Sequence, residues 1–230
     1  MKKYIVLAGN IGAGKSTLVE QISRRLNWKP YYEPVSENPY LEDFYLNMER
    51  WAFHSQMYFL TDRLKTHKSL QAYTGSVVQD RSVYEDAEIF ARNLYLQGDF
   101  SSRDYSTYCQ MYQVMSSFLQ PPDLIVYLKS SLETLKYRIR KRGREFEQSI
   151  SNTYLARLNS LYEEWTGGFD MAPVLTVDAD SVDIVSRPGD LEPVVENILN
   201  ALRGEQGVLF EDRTDPAMFR PDSREADSRK

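Results

Sequence analysis

The octapeptide Gly9-Asn10-Ile11-Gly12-Ala13-Gly14-Lys15-Ser16 constrains the fold more than any other stretch of the chain. It matches the pattern G-x-x-x-x-G-K-[ST], in which glycines turn consecutive backbone N–H groups toward one anion and the following helix adds partial positive charge from its N-terminus. The required context is present. Residues 4–8 are an apolar run without a polar break, as in a strand buried on both faces, and a helix is predicted over 16–26. Lys15 is expected to reach terminal phosphates and Ser16 to ligate magnesium, with Thr17 in the same anion-binding turn. A glycine-rich turn with no ligand is the alternative, and pattern plus context weigh against it.

Composition narrows what kind of chain surrounds this loop. The 230 residues allow one large domain, or one domain with appendages, and no apolar run approaches the roughly 20 residues of a membrane span. The opening Met1-Lys2-Lys3 mimics the charged start of a signal peptide, but the apolar stretch stops at Gly9, so it is read as a first strand. A single cysteine, Cys109, excludes an internal disulfide framework and points to a reducing, cytoplasmic compartment. The formal charge of −5 argues against nucleic acid polymers as partners. His54, His67 and Cys109 cannot make a His/Cys zinc site, so any metal should be a hard cation held by oxygen. Both histidines are taken as surface or satisfied core residues.

Strands are predicted at 4–8, 31–35, 76–79, 124–128 and 174–177, alternating with helices. The segment 41–73 lacks proline and glycine and is read as one short and one long helix. Further helices are expected over 84–97, from a Ser101/Asp104 cap to 118, from a Ser130/Glu133 capping box to 142, and over 152–165 and 191–202. The alternation implies an α/β fold, a parallel sheet with helices on both faces. From Glu211 onward mixed charges and prolines predict disorder, with Val208-Leu209-Phe210 or Met218-Phe219 as anchors if the tail docks. The division is a domain over 1–204 and a tail over 205–230.

Beyond the phosphate loop, several clusters carry chemistry. Glu33 ends the second strand at the sheet edge where open α/β folds bind ligands, although a lone carboxylate there is commonly solvated. Asp80-Arg81-Ser82 follows a strand and puts a carboxylate near the magnesium site and a guanidinium near the phosphates. Arg138, Arg140, Lys141, Arg142 and Arg144 crowd a helix end. They read as a phosphate lid over about 138–147, or else as a solvated face that caps the helix. Phe53, Gln56, Leu60 and Arg63 share a helical stripe, and Asp86 with Phe90 share another, suiting a slot that reads a flat heterocycle by its edge. A closed Arg63–Asp86 core pair is the alternative.

Taken together, Gly9 to Ser16, Glu33-Pro34-Val35, Asn38-Pro39-Tyr40-Leu41, Phe44-Tyr45, Glu49-Arg50-Trp51, Gln56, Asp80-Arg81-Ser82 and Arg142-Gly143-Arg144 resemble the deoxyribonucleoside kinase family, in its bacterial deoxyadenosine/deoxyguanosine branch. The resemblance runs from Lys3 to about Leu202. It implies a P-loop kinase fold with a five-stranded parallel sheet, ATP- and magnesium-dependent phosphorylation of a deoxynucleoside 5′-hydroxyl for salvage, and a homodimer. It casts Glu33 as the proton acceptor, Arg81 as the residue that holds the hydroxyl, and Tyr45 with Glu147 as partners of the 3′-hydroxyl. It gives Gln56 the base edge and Phe53 and Phe90 the ring faces. Arg138, Arg142 and Arg144 become the lid, and Asp178, Ala179 and Asp180 the loop beside adenine. Asp80 would assist Ser16 at magnesium, with a shorter reach than the glutamate of some relatives. The Arg63–Asp86 pair resembles that of purine- and cytosine-accepting members, so deoxyadenosine ranks first, then deoxyguanosine or deoxycytidine.

Two other readings compete. A nucleoside monophosphate kinase such as thymidylate kinase shares the loop, the Asp-Arg pair and the lid, but its charged acceptor would meet Glu33 and Glu147. A non-catalytic nucleotide-binding subunit would not need the base and the full lid.

Overall fold

The computed structural model describes residues 1–33 and 37–205. Strand β1 (Tyr4–Gly9) is buried along its whole length, as its unbroken apolar run requires. Its side chains alternate between two cores: Tyr4, Val6 and Ala8 face one, Ile5 and Leu7 the other. The remaining strands are β2 (Lys29–Tyr31), β3 (Val77–Asp80), β4 (Leu124–Lys129) and β5 (Val174–Asp178). They form one sheet in the order β2-β3-β1-β4-β5, every pair parallel. Because β1 is flanked by β3 and β4, the chain winds away in opposite directions from its C-terminal end, and that crevice is where such sheets bind ligands.

One face is covered by α1 (Lys15–Leu26), through Leu18, Val19 and Ile22, and by α9 (Leu191–Arg203), through Val194, Val195 and Ile198. Leu135 of α7 (Leu132–Arg142) joins them. The other face carries α2 (Leu41–Leu46), α3 (Met48–Ala72), α6 (Ser102–Ser116) and α8 (Asn152–Gly168). Fully buried Ile and Leu side chains stand in both cores, each worth about 1.5–3 kcal/mol of burial, and Tyr108 and Tyr162 join them on the α3 and α8 side.

Several expectations shift. The second strand lies at 29–31 rather than 31–35: it is an edge strand, only partly buried, so its apolar signal was weak. Pro34 and Val35 lie outside the described residues, as do residues 206–230 with the tail's two anchors. The helix expected over 84–97 is three pieces: α4 (Val83–Glu85), a π-helical turn (Asp86–Ala91) and α5 (Arg92–Gln97). A true capping box starts it, since Ser82 accepts from the Glu85 N–H and Glu85 accepts from the Ser82 N–H. The cap of α7 is Ser131, accepting from Thr134, instead of Ser130 with Glu133, and the Asp180 carboxylate holds the Ser131 N–H. The Ser101 cap on Asp104 forms as expected. His67 is satisfied in the core, Nε2 accepting from the Gln120 N–H at 3.1 Å. His54 is not, because its Nδ1 is buried without a partner among the described residues.

Candidate active site

Residues following the C-terminal ends of β1, β2 and β3 meet in one cleft of about 780 Å³, counting its open mouth. Ile11, Gly12, Lys15, Ser16, Glu33, Asp80 and Arg81 line it from the sheet, and α2, α3, the π turn, the end of α7 with the segment after it, and α8 supply the rest. In the phosphate loop Gly12 and Gly14 have φ of 84° and 99°, a left-handed backbone that glycine adopts without strain. A Cβ on Gly12 would also lie 2.9 Å from Ile139 Cγ1. Asn10 lashes the loop to α8: its Nδ2 donates to Leu155 O at 3.0 Å and Asn159 Oδ1 at 2.7 Å. Ala13 is buried beneath the loop, and Thr17 sits half-buried in the first turn of α1, outside the cleft lining.

Lys15 Nζ donates to Gly9 O at 2.9 Å and Asn10 O at 3.1 Å. Burial, together with Arg81, lowers its pKa to about 8 against the pull of Asp80 and Glu33. The Ser16 hydroxyl donates to Asp80 Oδ2, while Asp80 Oδ1 is buried with no partner among the described residues. A hydroxyl, a carboxylate with a spare oxygen and a nest of N–H groups suit a hard cation shared with phosphate. Among the described residues no cluster of three or more His, Cys, Asp and Glu offers a different metal centre.

Glu33 receives Arg63 Nη2 at 2.5 Å and Arg81 Nε at 3.2 Å. Burial pushes its carboxyl up, but Arg81, Arg63 and Lys15 outweigh that and hold its pKa at about 2. Arg81 has a φ of 64°, unusual for a side chain of its size, and its guanidinium lies 4.2 Å from the centre of the Phe90 ring.

The slot beside this pair carries Gln56, whose Oε1 is buried and unpaired among the described residues, and the Arg63–Asp86 pair at 2.9 Å. Desolvation raises the Asp86 pKa to about 6 even with Arg63 beside it. Phe90 lines the slot, but Phe53 does not. Phe53 packs edge-on to Phe100 at 6.1 Å, and Phe59 lines the cleft in its place. Phe59 stands three residues after Gln56 and four before Arg63, so helical spacing alone fitted both phenylalanines. Leu60 shares the expected stripe, fully buried.

Tyr45 and Glu147 line the same cleft, Tyr45 stacked on Phe146 at 5.8 Å. Glu147, in a 3₁₀ turn (Glu145–Glu147), accepts from Arg142 and Arg144 at 3.0 and 3.1 Å. The five-cation cluster is therefore divided. Arg142 and Arg144 reach the cleft, Arg140 and Lys141 are exposed, and Arg138 ties the back of the phosphate loop to the β5 loop. It donates to Ala13 O at 2.8 Å and Ala179 O at 2.7 Å. Asp178, Ala179 and Asp180 thus gather beside the phosphate loop rather than in the cleft; Asp178 Oδ1 accepts from the Asp180 N–H at 3.0 Å. Leu41 and Phe44, which lie in motifs of the resemblance but were given no role, also line the cleft, as does Tyr154, which no motif marked.

A phosphate loop, a carboxylate bracketed by two arginines and a slot walled by phenylalanines, all in one cleft, define a P-loop phosphotransferase for a small acceptor. Residues 5–203 match the family model for deoxynucleoside kinase, and the chain belongs to that family of enzymes, which phosphorylate a nucleoside hydroxyl. It is 40% identical over 204 residues to the deoxyadenosine/deoxycytidine kinase of Bacillus subtilis, covering 88% of this chain and 94% of that one. It is 38% identical over 214 residues to a deoxyguanosine kinase of Lactobacillus acidophilus, covering 89% and 92%. The structure of a deoxyadenosine kinase from M. mycoides with dCMP and a flexible dCDP bound superposes with a TM-score of 0.77 at 35% identity, covering 86% of this chain and 99% of that one.

Proposed function

We propose that this enzyme transfers the terminal phosphoryl group of ATP to the 5′-hydroxyl of deoxyadenosine, with deoxyguanosine or deoxycytidine next, in nucleoside salvage. The observation that carries this is the opening of Lys15, Ser16 and Glu33 into the same cleft as Gln56, Asp86 and Phe90. ATP bound with magnesium at Ser16 and Asp80 would bring an activated phosphoryl group and screen its charge. Glu33, ionised at every physiological pH, accepts the hydroxyl proton as the bond to phosphorus forms. Arg81 holds the hydroxyl and answers the charge that develops. Lys15, Arg142 and Arg144 gather the phosphates, with Arg138 steadying the loop behind them, and Tyr45 and Glu147 orient the 3′-hydroxyl.

Gln56 Oε1 and the Asp86 carboxylate are acceptors, which suits the exocyclic amine of adenine or cytosine, whereas thymine carries a carbonyl oxygen in place of that amine. Glu33 and Glu147 disfavour an acceptor that already carries phosphate, against a monophosphate kinase. We assign residues 1–204 to the kinase domain, with 138–147 as the lid. The lone cysteine, and the absence among the described residues of a helix long and apolar enough to cross a membrane, support the cytoplasm. Exposed Val114 and Phe118 support a homodimer. A panel of the natural deoxynucleosides and deoxynucleoside monophosphates with ATP and magnesium tests the assignment. Consumption of monophosphates alone would overturn it.

A further inference from the structure

Two fully buried polar side chains lie behind the cleft without lining it: Tyr162 of α8 and Glu85 at the end of α4. Arg81 Nη1 donates to the Tyr162 hydroxyl at 2.9 Å. That hydroxyl lies 2.8 Å from both Gly9 O and Glu85 Oε1 and has one proton to give. Gly9 O already accepts Lys15, and the carboxylate carries the charge, so the proton goes to Glu85. Burial holds the phenol well above its usual pKa, so it stays a donor. Glu85 Oε1 also accepts the Gly9 N–H at 3.2 Å, and Oε2 accepts the Ser82 N–H at 2.9 Å and the Ser82 hydroxyl at 3.1 Å. The Tyr162 ring is stacked on Tyr127 of β4, 5.5 Å between centres and 12° between planes.

One connected network therefore joins the first residue of the phosphate loop to the side chain of Arg81, whose backbone sits in the left-handed region. An arginine with that many rotamers needs such fixed partners to present one face to a reacting oxygen. We propose that Tyr162 and Glu85 are positioning residues that hold Arg81 in register with the phosphate loop; this rests on the role assigned to Arg81 above.

The test compares the purified full-length chain with Tyr162→Phe, which keeps the ring and its stack, and with Tyr127→Phe, whose lost hydroxyl bonds Glu163 instead. Tyr162→Phe is expected to lower kcat for deoxyadenosine by about 10-fold or more, with KM for ATP and for deoxyadenosine within about threefold. Tyr127→Phe should leave kcat unchanged. In an Arg81→Ala background, Tyr162→Phe should cost nothing further, because the group it positions is gone. Should Tyr162→Phe fail to fold, Glu85→Gln is expected to give the same loss and the same non-additivity.

Unchanged kcat in Tyr162→Phe beside an impaired Arg81→Ala, or losses that multiply in the double variant, would overturn the positioning role and leave the kinase reading intact. Normal turnover by Arg81→Ala would instead remove the role of Arg81 itself, and the bracket with it.

Discussion

Arg63 and Glu33 form a buried ion pair, Nη2 to Oε1 at 2.5 Å. The same guanidinium reaches Asp86 through Nε at 2.9 Å, so one side chain spans the slot wall and the carboxylate assigned to take the acceptor's proton. Against its burial, Arg81 first and then Arg63 keep Glu33 ionised.

Glu33→Gln keeps the shape and removes the charge. It is expected to lower kcat by about 10²-fold or more while ATP affinity, read by calorimetry, stays within about threefold. A carboxyl with a pKa of about 2 is fully ionised above pH 4, so the kcat profile of the native enzyme should show no acid limb from Glu33 above that pH. Unchanged turnover in the variant would remove Glu33 from its role.

Replacing the pair at the slot wall, Arg63→Met with Asp86→Ala, removes both buried charges together and makes room beside the base. The ratio of thymidine to deoxyadenosine kcat/KM should rise by at least about 10-fold. Arg63→Met alone strands the buried Asp86 carboxylate, so it should melt below the double variant, whereas Asp86→Ala leaves Arg63 paired with Glu33. A ratio that stays put would sink the base-edge assignment.

His67 is buried and accepts a hydrogen bond through Nε2, which only the neutral ring can do. Burial, then the nearby Lys2 charge, lowers its pKa to about 4 from 6.5. The unfolded chain therefore binds more protons than the folded one between about pH 4 and 6.5, and folding stability falls as pH drops through that window, by up to about 3 kcal/mol. In His67→Gln, urea melts at several pH values should show a flatter slope there. An equal slope would acquit His67.

Tyr108 is fully buried, and its hydroxyl has no hydrogen-bond partner among the described residues. Removing an unsatisfied hydroxyl relieves its desolvation, so Tyr108→Phe should leave stability unchanged or raise it by about 1 kcal/mol. A loss beyond about 1 kcal/mol in urea melts would show that the hydroxyl is bonded in solution.

Most of the sheet, the phosphate loop and the cleft positions of Glu33, Arg81, Tyr45 and Gln56 were legible because each is marked by a contiguous pattern or an ordered motif, whereas Glu147 was reached only through the resemblance. Phe59 was not, since spacings of three and four residues leave two neighbouring phenylalanines equally able to face a slot. The Ser82-x-x-Glu85 box was readable as a cap, but nothing in it revealed that Glu85 would also meet Gly9 and Tyr162, residues far apart in the chain.

What the linear chain determined is local and periodic: which residues form the buried strands, where the anion loop opens α1, and which residue types surround it. Tertiary packing alone decided how the arginine cluster divides, with Arg138 drawn to the carbonyls of Ala13 and Ala179 while Arg142 and Arg144 turn to Glu147. The physical reason is that buried polar groups must be paired: the buried Glu147 carboxylate takes the two arginines nearest it in the chain, while the acceptors of Arg138 come from segments that only the folded sheet brings within reach.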